Sequence, residues 1–418
     1  MPGFERDSQG RALLGGASLR ELLAVAGCGT PAYAYDLDGL SAAARELERA
    51  FDSRPHLVAY ALKANSAGSI VRALAAEGTG ADVVSGAELE LALGCGIPPE
   101  LIVMSGVGKR DDEIDLAIAR GISAIQAESV EEIERLAARA RALGRRARVS
   151  LRVNPGVEID AHAHVATGHD EAKFGIARSE IGAAWSSVDK TPELLAGVGV
   201  SAHVGSMLNT VDPYLESARA VCDVARARRA RDASLEFVDF GGGFGIDYGA
   251  SPSAPPARFA EAGLSLLAQQ GLGDLRLVVE PGRAMVGAYG VLVSRVIQLK
   301  RRGERRWAII DAGMNDLIRT ALYGARHRIE PLERAPGGLV WRVVGPVCES
   351  ADDFGEYALG EPNPDHVVIR DAGAYSFVMA STYNGRALPA EIFVSAGGVR
   401  SASARKPAEA WVIDRLNA

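Results

Sequence analysis

The sequence predicts an α/β protein: an eight-stranded β/α barrel followed by a C-terminal, mostly antiparallel β domain. Two observations predict it. From about Leu57 to Glu280, eight short β-rich runs alternate with Ala/Leu/Glu/Arg-rich helical segments, the pattern of a parallel sheet wound with helices. Eight such units over roughly 230 residues match the size of a closed barrel. An open doubly wound sheet is the alternative. After Arg283 the alternation stops, and β-rich runs follow one another with few long helices between them.

The barrel strands are read in order as HLVAYAL, ADVVS, LIVMS, ISAIQA, RVSLRV, VGVSAHV, EFVDF and LRLVVE. SIVRALAAEG, DDEIDLAIARG and VEEIERLAARARALG carry helical periodicity between them, and the charges of the last are read as a solvated barrel exterior. SPSAPPARF, Ser251 to Phe259, reads as a surface loop by composition. In the second domain YGVLVSRVIQLKR, RWAIIDAG, GLVWRVVGPVC, HVVIRDAG, EIFVS and AEAWVID read as strands, and the early run TPAYAYD, Thr30 to Asp36, is a strand that could join them. The expected division is 38–288 for the barrel, with 1–37 and 289–418 forming the β domain.

Composition sets limits on function. The chain has 418 residues, 48% hydrophobic and 24% charged, ordinary for a globular enzyme with a large core. A net charge of -7 argues against a general nucleic-acid or anionic-membrane binder. No apolar run approaches the roughly 18 residues of a membrane span. MPGFERDSQG lacks the apolar core of a signal peptide, so a cytoplasmic location is expected. Four scattered cysteines, Cys28, Cys95, Cys222 and Cys348, form no CxxC pair and are expected to be small buried residues. His162, His164 and His169 lie in a loop without an accompanying carboxylate set, and no metal is expected.

Chemistry is sought at the C-terminal ends of the barrel strands, where such folds place their reactive groups. Lys63 in VAYALKANSAG follows the first strand. A free lysine amine, with a pKa near 10.4, is a poor nucleophile, and partial burial at a strand end activates it. Arg152 and Asn154 end LRVNP, His203 and Ser206 lie in SAHVGS, Gly241 to Gly243 follow EFVDF, and Glu280 and Arg283 bracket EPGR. GGGFG is not a dinucleotide fingerprint, because Ile246 stands where a third glycine is required; it reads equally as a phosphate loop or a tight turn. EPGR adds a glycine loop one strand later, where barrels commonly bind phosphate. An unaccompanied lysine plus a phosphate site suggests covalent attachment of pyridoxal 5'-phosphate.

The stretches YALKAN, GADVVSGAEL, LRVNP, KFGI, HVGS, FVDFGGGFGIDY, EPGR, GPVCES, DAGAYSFVMASTYN and PAEIFV, in this order over nearly the whole chain, resemble the fold-type III pyridoxal-phosphate decarboxylases. That group contains the diaminopimelate and ornithine decarboxylases and has an alanine-racemase-type barrel. CES at Cys348 to Ser350 and MNDLIRTALY are most similar to the diaminopimelate branch. The resemblance implies decarboxylation of meso-diaminopimelate to L-lysine, with another diamino acid, carboxynorspermidine or a carrier-bound aminoacyl group as alternative substrates, and a non-enzymatic pyridoxal-phosphate-binding protein as the less favoured alternative.

The same resemblance implies roles. Lys63 would hold the cofactor covalently, His203 would stack on its ring, and Glu280 would pair with the ring nitrogen. Ser206, Gly243, Gly282 and Arg283 would hold the phosphate, Arg152 would lie by the phenolic oxygen, and Tyr383 would close the site. Arg283, Arg319, Tyr323, Glu349 and Tyr383 would bind substrate, and Cys348 would deliver a proton. A homodimer with shared active sites is implied. The run RTALYGARH departs from the family at Thr320 and at Gly324 to Arg326, while His327 matches, and AHAHVATG departs in a loop expected to cover the site.

Overall fold

The computed structural model describes residues 3–157, 173–231, 235–249, 251–334, 337–360, 365–405 and 408–417. The AHAHVATG run with His162 and His164, and His169 after it, lie outside them. Two compact units are present: Ala43–Ile246 with Pro252–Ala284, and Met1–Ala42 with Asp247–Ser251 and Met285–Ala418.

The first unit is a closed barrel of eight parallel strands in sequential order. They are His56–Ala61, Gly80–Val83, Ile102–Met104, Ala124–Ala127, Ala147–Arg152, Leu195–Ser201, Phe237–Gly242 and Arg276–Glu280. Closure pairs the last strand with the first, Val278 opposite Leu57. The expected strands are all present, and the open-sheet alternative is excluded.

Side chains alternate across a strand with period two, and that period divides the barrel interior into layers. Leu57, Ala59, Val103, Ala124, Val198, Phe237 and Val278 form one buried apolar cluster. Two residues beyond four of these come Ser105, Gln126, Asp239 and Glu280, all buried and polar. The barrel is therefore apolar below and polar at the C-terminal rim.

The helices follow their sequence signals. Val130–Leu143 starts at Ser129, whose hydroxyl accepts the Glu132 amide, and ends at Gly144 with φ 59°. Ile133, Leu136 and Ala140 bury its inner face. One charge expected on the solvated exterior is not there: Glu132 is buried, because its position in the first helical turn lets its carboxylate reach back to the Glu128 amide and to the Lys109 ammonium at 2.9 Å. The loop expected over Ser251–Phe259 ends sooner. A helix runs Pro256–Gln269, since proline suits the first helical turn, and Phe259 is fully buried.

In the second unit Gly290–Arg302 is the longest strand, pairing antiparallel with Ala32–Asp36, Arg305–Ile310 and His366–Ile369. The early TPAYAYD run does join this sheet, with Ala390–Ser395 parallel on its other side. Ala32, Ala34, Val291, Val293, Val368, Ile392 and Val394 pack with Phe4, Leu14, Leu19 and Leu22 from the chain start. AEAWVID is the one expected strand that is not a strand: Ala408–Leu416 is a helix, with Glu409 in its first turn and Arg415 in its last. Such charges suit the helix dipole, and the period-two pattern of seven residues was too short to distinguish the two states. Strands at Asp353–Ala358 and Gly398–Ser403 were not anticipated.

Candidate active site

Because every barrel strand runs the same way, the residues that end them share one rim. Lys63 lies in a short turn, Leu62–Ala64, directly after the first strand. Its ammonium pairs with the fully buried carboxylate of Asp82, from the second strand. Desolvation alone had been expected to set the state of this amine; the structure adds a counter-charge. Ser105 donates to the other Asp82 oxygen at 2.5 Å.

A pair of carboxyls, Asp239 and Glu280, completes the rim. The Gln126 amide reaches across the barrel and donates to Asp239 at 2.8 Å and to Glu280 at 2.9 Å. Burial pushes Asp239 up to about 6. Burial, then the nearby charges of Asp239 and Asp82, push Glu280 well above the usual carboxylate range, against the pull of Lys63. The two buried carboxyls crowd one another, which favours the protonated form of Glu280. The Gly241 amide donates to the same carboxylate of Asp239 at 2.8 Å. The site thus presents a neutral acid from the end of the eighth strand.

His203 lies between these groups. Burial, Arg152 and Lys63 hold its imidazole well below its ordinary pKa. Its 3.9 Å approach to Glu280 is therefore no ion pair. The Gly242 amide donates to Nδ1 at 3.2 Å, which places the ring proton on Nε2.

Arg152 ends the fifth strand and is buried. Glu128 holds it at 2.7 Å, and its other oxygen accepts the Gly175 amide at 2.8 Å. Phe174 lies 5.1 Å beneath the guanidinium. Glu128 therefore ties Arg152 to the KFGI stretch.

The glycine loop is a cradle. A Cβ on Gly243, at φ +86°, would stand 2.2 Å from the Gly205 carbonyl oxygen, and one on Gly242 would stand 1.8 Å from that of Glu280. Only glycine permits this approach. Arg283 donates to Ser206 at 3.0 Å beside it. The Pro281 carbonyl, next to Gly282, accepts the Ala61 amide at 3.1 Å, fastening the EPGR loop to the first strand. Backbone amides in a tight cradle with one guanidinium and one hydroxyl form an anion site. The lysine amine, the neutral carboxyl and the anion cradle fit the nucleophile-reactive aldehyde, ring nitrogen and phosphate of pyridoxal phosphate.

The remaining expected residues lie in the second unit, in two clusters. Arg319 opens a short helix, Arg319–Tyr323, and is buried; its Nη1 lies 2.7 Å from Nε2 of His327. Tyr323 closes that helix, and Gly324, at φ +61°, ends it in the left-handed conformation glycine favours, which accounts for this departure from the family pattern. In the other cluster Tyr383 donates to Glu349 at 2.6 Å, and Asn384 accepts the Cys348 amide at 3.1 Å. The bond to Glu349 holds the Tyr383 phenol above its usual pKa. Cys348 is exposed, unlike the buried Cys95 and Cys222. The general expectation of buried cysteines thus holds for Cys95 and Cys222 but not for Cys348, nor for the half-buried Cys28.

Asp82, Ser105, Gln126, Glu128 and Asp239 were missed by sequence reasoning. A signal existed: Val103 to Ser105, Ala124 to Gln126 and Phe237 to Asp239 each change from apolar to polar at a spacing of two. Among the described residues no cluster of three or more His, Cys, Asp or Glu could hold a metal, and no helix is long and apolar enough to cross a membrane.

Comparison with known proteins agrees with this geometry. Residues 37–287 match the family described as "Pyridoxal-dependent decarboxylase, pyridoxal binding domain". Diaminopimelate decarboxylase of Zymomonas mobilis is 39% identical over 383 residues, covering 90% of each chain. The crystal structure of diaminopimelate decarboxylase from Helicobacter pylori complexed with L-lysine is 37% identical, with a TM-score of 0.87, over 93% of this chain and 98% of that one. That from M. jannaschii in co-complex with L-lysine is 32% identical, with a TM-score of 0.90, over 99% and 98%. With the match running through both units and the barrel rim built to hold the cofactor, the chain belongs to the pyridoxal-dependent decarboxylases, an enzyme family, and within it to the diaminopimelate decarboxylases.

Proposed function

We propose that this enzyme releases carbon dioxide from the D-configured centre of meso-diaminopimelate and forms L-lysine, as a cytoplasmic homodimer with shared active sites. The observation that carries this reading is the pairing of the Lys63 amine with Asp82 on the same barrel rim as the buried Glu280 carboxyl, in a chain 37% identical to an L-lysine-bound diaminopimelate decarboxylase. Pyridoxal phosphate, when bound, supplies an electron sink for the pair of electrons left as the carbon–carboxylate bond breaks.

The chain's own residues do the rest. Lys63 holds the cofactor through its amine, and Glu280 presents its carboxyl to the ring nitrogen. His203, neutral, covers the ring without adding charge. Gly243, Gly282, Arg283 and Ser206 take the phosphate, Arg152 the phenolic oxygen, and Tyr383 closes the site. Arg319 suits the distal carboxylate, because its fork makes paired hydrogen bonds, and Glu349 suits the distal ammonium, with Arg283, Tyr323 and Tyr383 completing the substrate set. The Cys348 thiol, exposed on a single chain, delivers a proton to the carbon that has lost carbon dioxide, in a site completed by a second copy.

A substrate panel read by product mass tests this. With pyridoxal phosphate, the enzyme converts meso-diaminopimelate to lysine and leaves ornithine, arginine and lysine at least about a hundredfold slower, because each lacks one of the distal charges and would strand a polar partner. Preferred turnover of another amino acid reassigns the substrate.

Glu128→Gln tests the place of Arg152. It keeps one acceptor for the Gly175 amide or for Arg152 but removes the buried counter-charge. Loss of a charged hydrogen bond predicts a cofactor dissociation constant raised about tenfold or more, measured by absorbance titration. Unchanged affinity would remove Arg152 from the cofactor set.

A further inference from the structure

We infer that His327 is a positioning residue for substrate recognition: as a neutral acceptor it aims the Arg319 guanidinium, with the ring of Tyr248 as the second support. This rests on the reading of Arg319 as the partner of the distal carboxylate.

The hydrogen-bond geometry assigns the tautomer. A guanidinium can only donate, so Nε2 of His327, 2.7 Å from Arg319 Nη1, must accept. The carbonyl of Arg370 can only accept, so Nδ1 of His327, 2.9 Å from it, must carry the proton. The two contacts together require the neutral Nδ1–H form. An imidazolium would set N–H against N–H at Arg319. A guanidinium has five N–H donors, so one bond to His327 orients the fork without exhausting it.

The second support comes from a distant part of the chain. The Arg319 guanidinium carbon lies 4.9 Å from the centroid of the Tyr248 ring. That ring meets His327 edge to face, with centroids 5.2 Å apart and planes at 80°. Tyr248 belongs to the short segment Asp247–Ser251, which is part of the same compact unit as Arg319 and His327. Arg328 anchors the segment, donating to the Asp247 carbonyl at 3.1 Å while pairing with Asp371 at 2.7 Å. Tyr357 fixes the backbone beneath the imidazole, donating to the His327 carbonyl at 2.8 Å. A buried cation held by an acceptor and a π face has a defined direction, which paired bonding to a carboxylate needs.

The test uses the holoenzyme with two inhibitors, L-lysine and 1,5-diaminopentane, which is lysine without its carboxylate. His327→Phe fills the volume but removes the acceptor; His327→Gln keeps an oxygen to accept from Arg319. Expected for His327→Phe are a KM for meso-diaminopimelate and a Ki for L-lysine raised at least about tenfold, with kcat changed less than about threefold, the Ki of 1,5-diaminopentane unchanged, and cofactor absorbance retained. His327→Gln restores most of the lysine affinity. If Arg319→Ala weakens lysine and His327→Phe does not, the role of His327 is overturned alone. Parallel weakening of lysine and diaminopentane in His327→Phe marks a general structural loss and also overturns it. An unchanged lysine Ki in Arg319→Ala removes the carboxylate assignment of Arg319, and this inference with it.

Discussion

Lys63→Ala and Lys63→Arg each lower decarboxylation at least about a thousandfold, because both remove the only group proposed to hold the cofactor covalently. The two variants separate chemistry from folding. Alanine leaves the buried Asp82 carboxylate without its ammonium partner and costs stability. Arginine keeps a cation there, yet its guanidinium stays protonated and cannot attack an aldehyde. Lys63→Arg is therefore expected to fold like wild type, by melting temperature and circular dichroism, and to be as inactive as Lys63→Ala. Borohydride reduction of the holoenzyme labels wild type at position 63 and labels neither variant. Mixing Lys63→Arg with Cys348→Ala restores up to about a quarter of wild-type activity if each site draws on both copies of a twofold dimer. Activity above about a tenth of wild type in either lysine variant ends the covalent role, and no recovery on mixing ends the shared site.

Glu280→Gln is expected to cut activity by about a hundredfold or more while making the cofactor-free protein more stable. The activity loss follows from the amide's inability to give a proton to the ring nitrogen and then pair with it as an anion, so the electron sink weakens. The stability gain follows from linkage. Asp239 is raised from 3.8 to about 6 and Glu280 is raised well above its ordinary range, both mainly by burial. A group whose pKa is raised on folding holds more protons folded than unfolded. Its contribution is fully present below the unfolded pKa and is lost as pH rises through the folded pKa. The Asp239 shift alone is worth about 3 kcal/mol once pH exceeds about 6. Glutamine mimics the protonated Glu280, keeps a donor toward Asp239 and removes one of the two crowded carboxyls. The apo variant is therefore predicted to melt a few degrees above wild type at pH 8, with the gap closing as pH falls toward 4. An equal or lower apo melting temperature at pH 8 contradicts the strained pair. Such a trade of stability for function is common at active sites.

The sequence by itself determined the barrel and the residues at its strand ends. Eight apolar runs at regular spacing, separated by amphipathic helices, leave few ways to bury both faces of a parallel sheet, and Lys63, Arg152, His203, Gly243 and Glu280 follow from where those runs stop. The pairing of TPAYAYD with the later sheet was also legible, as an apolar run that the barrel did not need. Period alone could not place AEAWVID, where seven residues satisfy a strand and a helix equally. It could not show that Glu132, in the first turn of a charged helix, turns inward to Lys109.

Tertiary structure decided the electrostatics. Asp82, Gln126 and Asp239 are far apart in the chain and ordinary in composition. They become one network with Lys63 and Glu280 only because barrel closure sets opposite strands within hydrogen-bond reach and removes the water that would screen them. The charge state of each group belongs to that enclosure, and no local stretch encodes it.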